Sequence, residues 1–119
     1  MSKIIKALNS MVSNPEKITD VIQEDEGYFF LYDKKYVWGI YFDLENDTYE
    51  AYFYPGATET VGVVNSIRSE IYIDYINYES EILGARESHE TFSELYRIVK
   101  EKLFGVDKVL DDIIGDDLF

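Results

Sequence analysis

The stretch from Tyr28 to Tyr54, YFFLYDKKYVWGIYFDLENDTYEAYFY, constrains this chain more than any other, because it carries 12 of the 19 aromatic residues. Two points interrupt it, Asp33-Lys34-Lys35 and Leu44-Glu45-Asn46-Asp47. The runs between them are rich in Tyr, Phe, Ile and Val, side chains that suit a pleated, half-buried surface. The pattern predicts a three-stranded antiparallel meander.

Side chains alternate faces along a strand, so a slip of one residue would invert a whole strand. With Lys34 and Lys35 as the first loop, Leu31 faces Trp38, Phe29 faces Ile40 and Phe30 faces Gly39. With a four-residue second loop, Trp38 faces Phe53, Ile40 faces Ala51 and Phe42 faces Tyr49. A two-residue loop at Glu45-Asn46 gives the same pairing but demands positive φ at Glu45, which is unfavourable. This register gathers Phe29, Leu31, Trp38, Ile40, Phe42, Ala51 and Phe53 on one apolar face, the expected core. The opposite face shows Tyr28, Phe30, Tyr32, Val37, Gly39, Tyr41, Asp43, Glu50, Tyr52 and Tyr54, and is aromatic and acidic.

The flanks read mainly as helices. Ile4, Ile5, Leu8, Met11 and Val12 recur at helical spacing over Lys3 to Val12. Asn14 as N-cap with Pro15 at the first position opens a second short helix, with Ile18, Val21 and Ile22 as its buried stripe. Residues 55–66 read as a loop holding something ordered, with Val61, Val63 and Val64 as a short strand or one helical turn. Arg68 to Tyr78 alternates, with Ile71, Ile73 and Tyr75 one way and Glu70, Tyr72 and Asp74 the other. It predicts a fourth strand that extends the acidic, aromatic face, and Glu81-Ile82-Leu83 a short fifth at the edge. Thr91-Phe92-Ser93-Glu94 matches a capping box, so the main helix opens at Ser88 or Thr91. Phe92, Leu95, Tyr96, Val99 and Leu103 line it, Gly105 stops it, and Val106 to Ile114 forms a last short helix. The whole predicts a single α+β domain over residues 1–119. Its antiparallel sheet has four to five strands (meander 28–54 plus a strand near 69–78), and the N-terminal and C-terminal helices pack on one face.

Charge narrows the function. The chain has 24 acidic and 11 basic side chains, a formal −13. Nine of the acids but only one base, Arg68, fall between Tyr36 and Ala85, so the negative potential belongs mostly to the sheet. Such a surface repels nucleic acid and anionic membranes and attracts basic proteins. There is no cysteine, hence no disulfide framework or thiolate metal site, and the expected location is the cytoplasm. The N-terminus has no apolar run longer than two residues and reads as neither signal peptide nor membrane span.

Motifs for chemistry are few. His89, the only histidine, lies between Glu87 and Glu90 with no nucleophile arranged beside it. The carboxylates are spread among tyrosines, with Tyr41 facing Glu50 and Asp43 facing Thr48. Asp107, Asp111, Asp112, Asp116 and Asp117 lack the alternation of a calcium loop. Asn46-Asp47-Thr48 matches a glycosylation acceptor, but its turn role is sufficient. Gly39, flanked by Phe30 and Tyr52, marks either a notch with aromatic walls or a glycine closed over by two rings. No catalytic residue, metal or cofactor is expected.

The outer face is the candidate site. Tyr41, Tyr52, Tyr54 and Tyr72 interleave with Asp43, Glu50, Glu70 and Asp74, suiting a partner whose Arg and Lys side chains pair with carboxylates and stack on rings. A non-enzymatic protein-binding module follows, of inhibitor, immunity or phosphate-mimic type, with a basic protein as partner. The order helix, three strands, connection, two strands, helix resembles the type III secretion chaperones, a resemblance that implies an acidic homodimer holding an unfolded segment. Asp116-Asp117-Leu118-Phe119 resembles the acidic tail of bacterial single-stranded DNA-binding proteins and is similar to the Leu-Phe ending of sliding-clamp-binding peptides. It lacks the proline of the former and the leading Gln-Leu of the latter. An enzyme with a dispersed site is the third reading.

Overall fold

One tight turn decides how the sheet is assembled. Asp33 and Lys34 both adopt positive φ, 54° and 56°, and the Lys35 N–H donates to the Tyr32 carbonyl at 3.1 Å. Lys35 is left as an extra residue, so Tyr32 pairs with Tyr36 across a three-residue loop. The computed structural model describes residues 2–83 and 86–117. In chain order it has α1 (Lys3–Ser13), a 3-10 turn (Pro15–Lys17), β1 (Ile18–Glu24), β2 (Gly27–Tyr32), β3 (Tyr36–Asp43) and β4 (Thr48–Tyr54). Then follow α2 (Thr60–Arg68), β5 (Ile76–Glu79), α3 (Ser80–Leu83), α4 (Arg86–Phe104) and α5 (Val106–Asp117). The strands form one antiparallel sheet in the order β1-β2-β3-β4-β5, an α+β fold.

The three-residue loop shifts β2 by one residue from the expected register. Phe30 faces Trp38, Phe29 faces Gly39 and Leu31 faces Val37. The expectation fails for a physical reason: Gly27 to Leu31 is buried throughout, so β2 carries no polar face to fix its parity. The β3–β4 pairing is as expected, with Trp38 on Phe53, Ile40 on Ala51 and Phe42 on Tyr49.

Each face therefore has its own core. Tyr28, Phe30, Ile40 and Ala51 pack with Ile5, Leu8 and Met11 of α1 and Phe92, Leu95 and Val99 of α4, which places the terminal helices on one face. Phe29, Leu31, Val37 and Tyr54 pack on the other side with Val63 and Val64 of α2. The tyrosine face is thus partly roofed by the segment read as a loop holding a short strand or one helical turn, whose ordered part is the nine-residue helix α2.

Several elements differ from the sequence pattern. Asn14-Pro15 starts only a 3-10 turn, and Ile18 to Glu24 is a strand, where β-branched side chains are at ease. A bulge between Thr19 and Ile22 puts Asp20 at φ 54°, and its carbonyl accepts the Thr60 hydroxyl at 2.8 Å, tying α2 to β1. The strand expected near 69–78 is confined to Ile76–Glu79, because α2 runs to Arg68 and its end is closed by N–H groups of Ser69, Glu70 and Ile71 donating backwards. Glu81 to Leu83 lies in the helical turn α3. Thr91 sits inside α4, buried, with its hydroxyl donating to Asn9 Oδ1 at 3.0 Å, so it docks α1 instead of capping. The observed order of four strands, a helix and a fifth strand also differs from the order on which the chaperone resemblance rests. Leu118 and Phe119, the end of the acidic tail motif, lie outside the described residues. No helix among the described residues is long and apolar enough to cross a membrane.

Candidate functional site

Strand pairing lines residues up in rows. Glu24 faces Gly27, Gly27 faces Tyr41, Tyr41 faces Glu50 and Glu50 faces Glu79, so one row crosses all five strands. The next row runs Phe29, Gly39, Tyr52, Asn77, and the third Leu31, Val37, Tyr54. All three lie on the face that α2 covers. The third is buried against α2, whereas Tyr41, Glu50, Tyr52 and Glu79 remain half-exposed. The face is therefore split into a dry half and an open, acidic half.

Glycine and tyrosine build the open half together. A Cβ on Gly27 would lie 2.2 Å from the Tyr41 ring, so the ring lies directly over the glycine. Tyr41 meets Phe29 edge-on at 5.8 Å and Tyr52 edge-on at 5.2 Å, and Tyr52 meets Tyr75 at 5.4 Å. The Tyr52 hydroxyl donates to Glu50 Oε2 at 3.3 Å. Gly39 is closed over: a Cβ there would meet Phe29 at 3.1 Å and Tyr54 at 3.5 Å, with Phe29 replacing the expected Phe30 because of the shifted register. It offers no notch.

The electrostatics follow this geometry. Burial raises the Glu50 carboxyl above the usual carboxylate range, and repulsion from Glu79 and Asp43 adds to it, against the hydrogen bond from Tyr52. Tyr41 is pushed up to about 12, first by burial and then by Asp25. Burial also raises Tyr52 and Tyr54. Arg68, at the end of α2, holds Glu24 at 2.6 Å. Among the described residues no lysine or arginine pairs with Glu50 or Glu79.

The eight residues singled out from the sequence divide. Tyr41, Glu50 and Tyr52 come together, and Tyr54 supports them from beneath at 4% exposure. Asp43 is held by its own turn, accepting from the N–H groups of Glu45 at 3.0 Å and Asn46 at 3.3 Å and from Asn46 Nδ2 at 2.7 Å. These bonds keep its carboxyl below the usual range, the Asn46 side chain foremost. Glu70 ends α2 at φ 56°, and Tyr72, 80% exposed, bonds to Asp74, which raises its phenol. In this irregular segment the alternation is reversed: Ile73 joins the α2-side core and Tyr75 meets Tyr52. Sequence reasoning missed Glu24, Gly27, Tyr75 and Glu79. A glycine able to sit opposite an aromatic on the neighbouring strand was the available signal for Gly27.

On the other layer, His89 lies edge-on to Tyr49 at 5.2 Å, and the Tyr49 hydroxyl donates to Ser93 Oγ at 3.3 Å. No cluster of three or more metal-ligating side chains forms among the described residues. Comparison with protein-family models, curated proteins and solved structures finds no match for this chain.

Proposed function

We propose that this chain is a small acidic, non-enzymatic protein-binding module, of inhibitor, immunity or phosphate-mimic type, acting in the cytoplasm. It engages a basic protein through the open half of its sheet face. The observation that carries this reading is the opposition of Glu50 and Glu79 in a row walled by Tyr41, Tyr52 and Tyr75. Like charges directly opposite on neighbouring strands destabilise a sheet. A partner's guanidinium would relieve that repulsion by pairing with both carboxylates while stacking on a tyrosine ring. Tyr54 supports this surface from beneath, Asp43 is held by its own turn, and the exposed Glu70, Tyr72 and Asp74 stand in the segment whose Tyr75 meets Tyr52 and would add to the negative charge that a basic partner meets. The formal charge of −13 would speed the encounter and make it salt-sensitive.

The test is capture from lysate at low and high salt, with wild type beside a Glu50→Lys/Glu79→Lys variant and a Glu70→Lys/Asp74→Lys variant. The reading expects a basic protein retained by wild type at low salt, weakened by the Glu70→Lys/Asp74→Lys variant and lost with the row variant. Equal capture by wild type and the row variant would refute it.

A further inference from the structure

We infer that α5 is a second docking surface, for an amphipathic segment whose apolar stripe is bordered by lysine or arginine. Val109, Leu110, Ile113 and Ile114 are 50–58% exposed, and Phe104, at the end of α4, is 60% exposed. No described side chain of α5 is buried. A helix turns about 100° per residue, so Val106, Val109, Leu110, Ile113 and Ile114 share one stripe. With Phe104 at the preceding helix end, five large apolar side chains are half or more exposed here, and exposed apolar patches mark interaction sites.

The stripe does not end at the helix. It continues into a cleft of about 900 Å³ between β1 and the α4–α5 corner, where Ile18, Val21, Ile98, Leu103 and Leu110 lie among charged side chains of both signs, with more acids than bases. A segment laid along α5 would reach that cleft.

The borders of the stripe decide its occupant. By the same helical geometry Asp107 and Asp111 flank one side of the stripe and Asp112 the other, so its borders along the helix are acidic, while Lys108 lies off the stripe and lines the cleft beside Asp107. A second copy laid α5 against α5 would bring these carboxylates together, on chains that each carry −13. A segment with Lys or Arg borders would pair them instead. α5 follows α4, which packs on the other side of the sheet from the Glu50–Glu79 row, and the cleft contains none of that row's residues, so this inference stands apart from the proposed sheet-face reading.

The experiment uses the full chain and a labelled 18-residue helical peptide of leucine and lysine, with a leucine and glutamate peptide of the same pattern as control. The Leu/Lys peptide should bind. Leu110→Ser/Ile113→Ser should weaken it at least tenfold at unchanged net charge and unchanged circular dichroism, and Asp111→Asn/Asp112→Asn should weaken it several-fold and flatten its salt dependence. Glu50→Gln/Glu79→Gln should leave it within twofold, which separates this surface from the sheet face. Three results would overturn the inference. One is equal binding by wild type and the serine variant, which would mean charge alone. The others are equal binding of the Leu/Glu peptide, and a wild-type dimer in sedimentation that the serine variant dissociates.

Discussion

Replacing Glu50 by glutamine should make the protein more stable at neutral pH, although the side chain takes part in a hydrogen bond. Gln keeps a carbonyl oxygen to accept from the Tyr52 hydroxyl, so the 3.3 Å contact survives and only the charge is lost. Two unit charges about 4 Å apart repel by roughly 1 kcal/mol in water and about 4 kcal/mol near a protein surface. Half-exposure and salt reduce this toward the ~0.2–1 kcal/mol typical of an opposed cross-strand pair. For a chain of 119 residues the gain corresponds to about 1–4 °C in Tm. Glu79→Gln removes the same repulsion but leaves the Glu50 charge partly buried, so its gain should be smaller. The double variant should then gain no more than the better single, because one repulsion can be removed only once.

The pH dependence carries a sign. Glu50 holds its proton more tightly in the folded than in the unfolded chain, so between the ordinary carboxylate value and its raised one the folded state binds more protons. Stability is therefore lost as pH rises through that window. The advantage of Glu50→Gln should open above about pH 4.5 and close below it. Urea denaturation followed by Trp38, the single tryptophan, which packs on Phe53 at 5.1 Å, measures this at pH 4 and pH 7. A Glu50→Gln protein less stable at pH 7, or single gains that add in the double variant, would show that the two carboxylates do not repel and would remove the support for a cation site.

Other outcomes follow from the same geometry. Phe29→Ala empties a fully buried site among Gly39, Tyr41 and Tyr54 and should cost about 3–5 kcal/mol in urea denaturation; under 1 kcal/mol would contradict its burial there. Thr60→Val leaves the Asp20 carbonyl without its donor and should cost about 1–2 kcal/mol, with faster amide exchange in β1. Tyr41 should titrate near pH 12 in 13C-tyrosine NMR; its folded form favours the neutral phenol, so this group's contribution to stability falls as pH rises above about 10. A Tyr41 signal titrating at pH 10 would mean that its ring does not lie over Gly27.

The sequence by itself determined the elements with strong local periodicity: α1, α4, α5, the three meander strands and the β3–β4 register, where Asp43, Glu50 and Thr48 mark one face as polar. It also determined the α+β class, with terminal helices on one face, and the acidity of the sheet. Only the tertiary structure decided the rest. β2 is apolar on both sides, so its parity came from the left-handed turn at Asp33 and Lys34 and not from its pattern. Ile18, Val21 and Ile22 suit a helix or a strand, and pairing with β2 together with the Thr60 bond selected the strand. The candidate site shows the same division. Tyr41, Glu50 and Tyr52 were legible because they sit on the two strands whose register the pattern settles. Glu24, Gly27 and Glu79 were not, because they join the row only through pairings whose register no local pattern encodes. The opposition of Glu50 to Glu79 is thus a property of the assembled sheet, formed when β5 closes against β4.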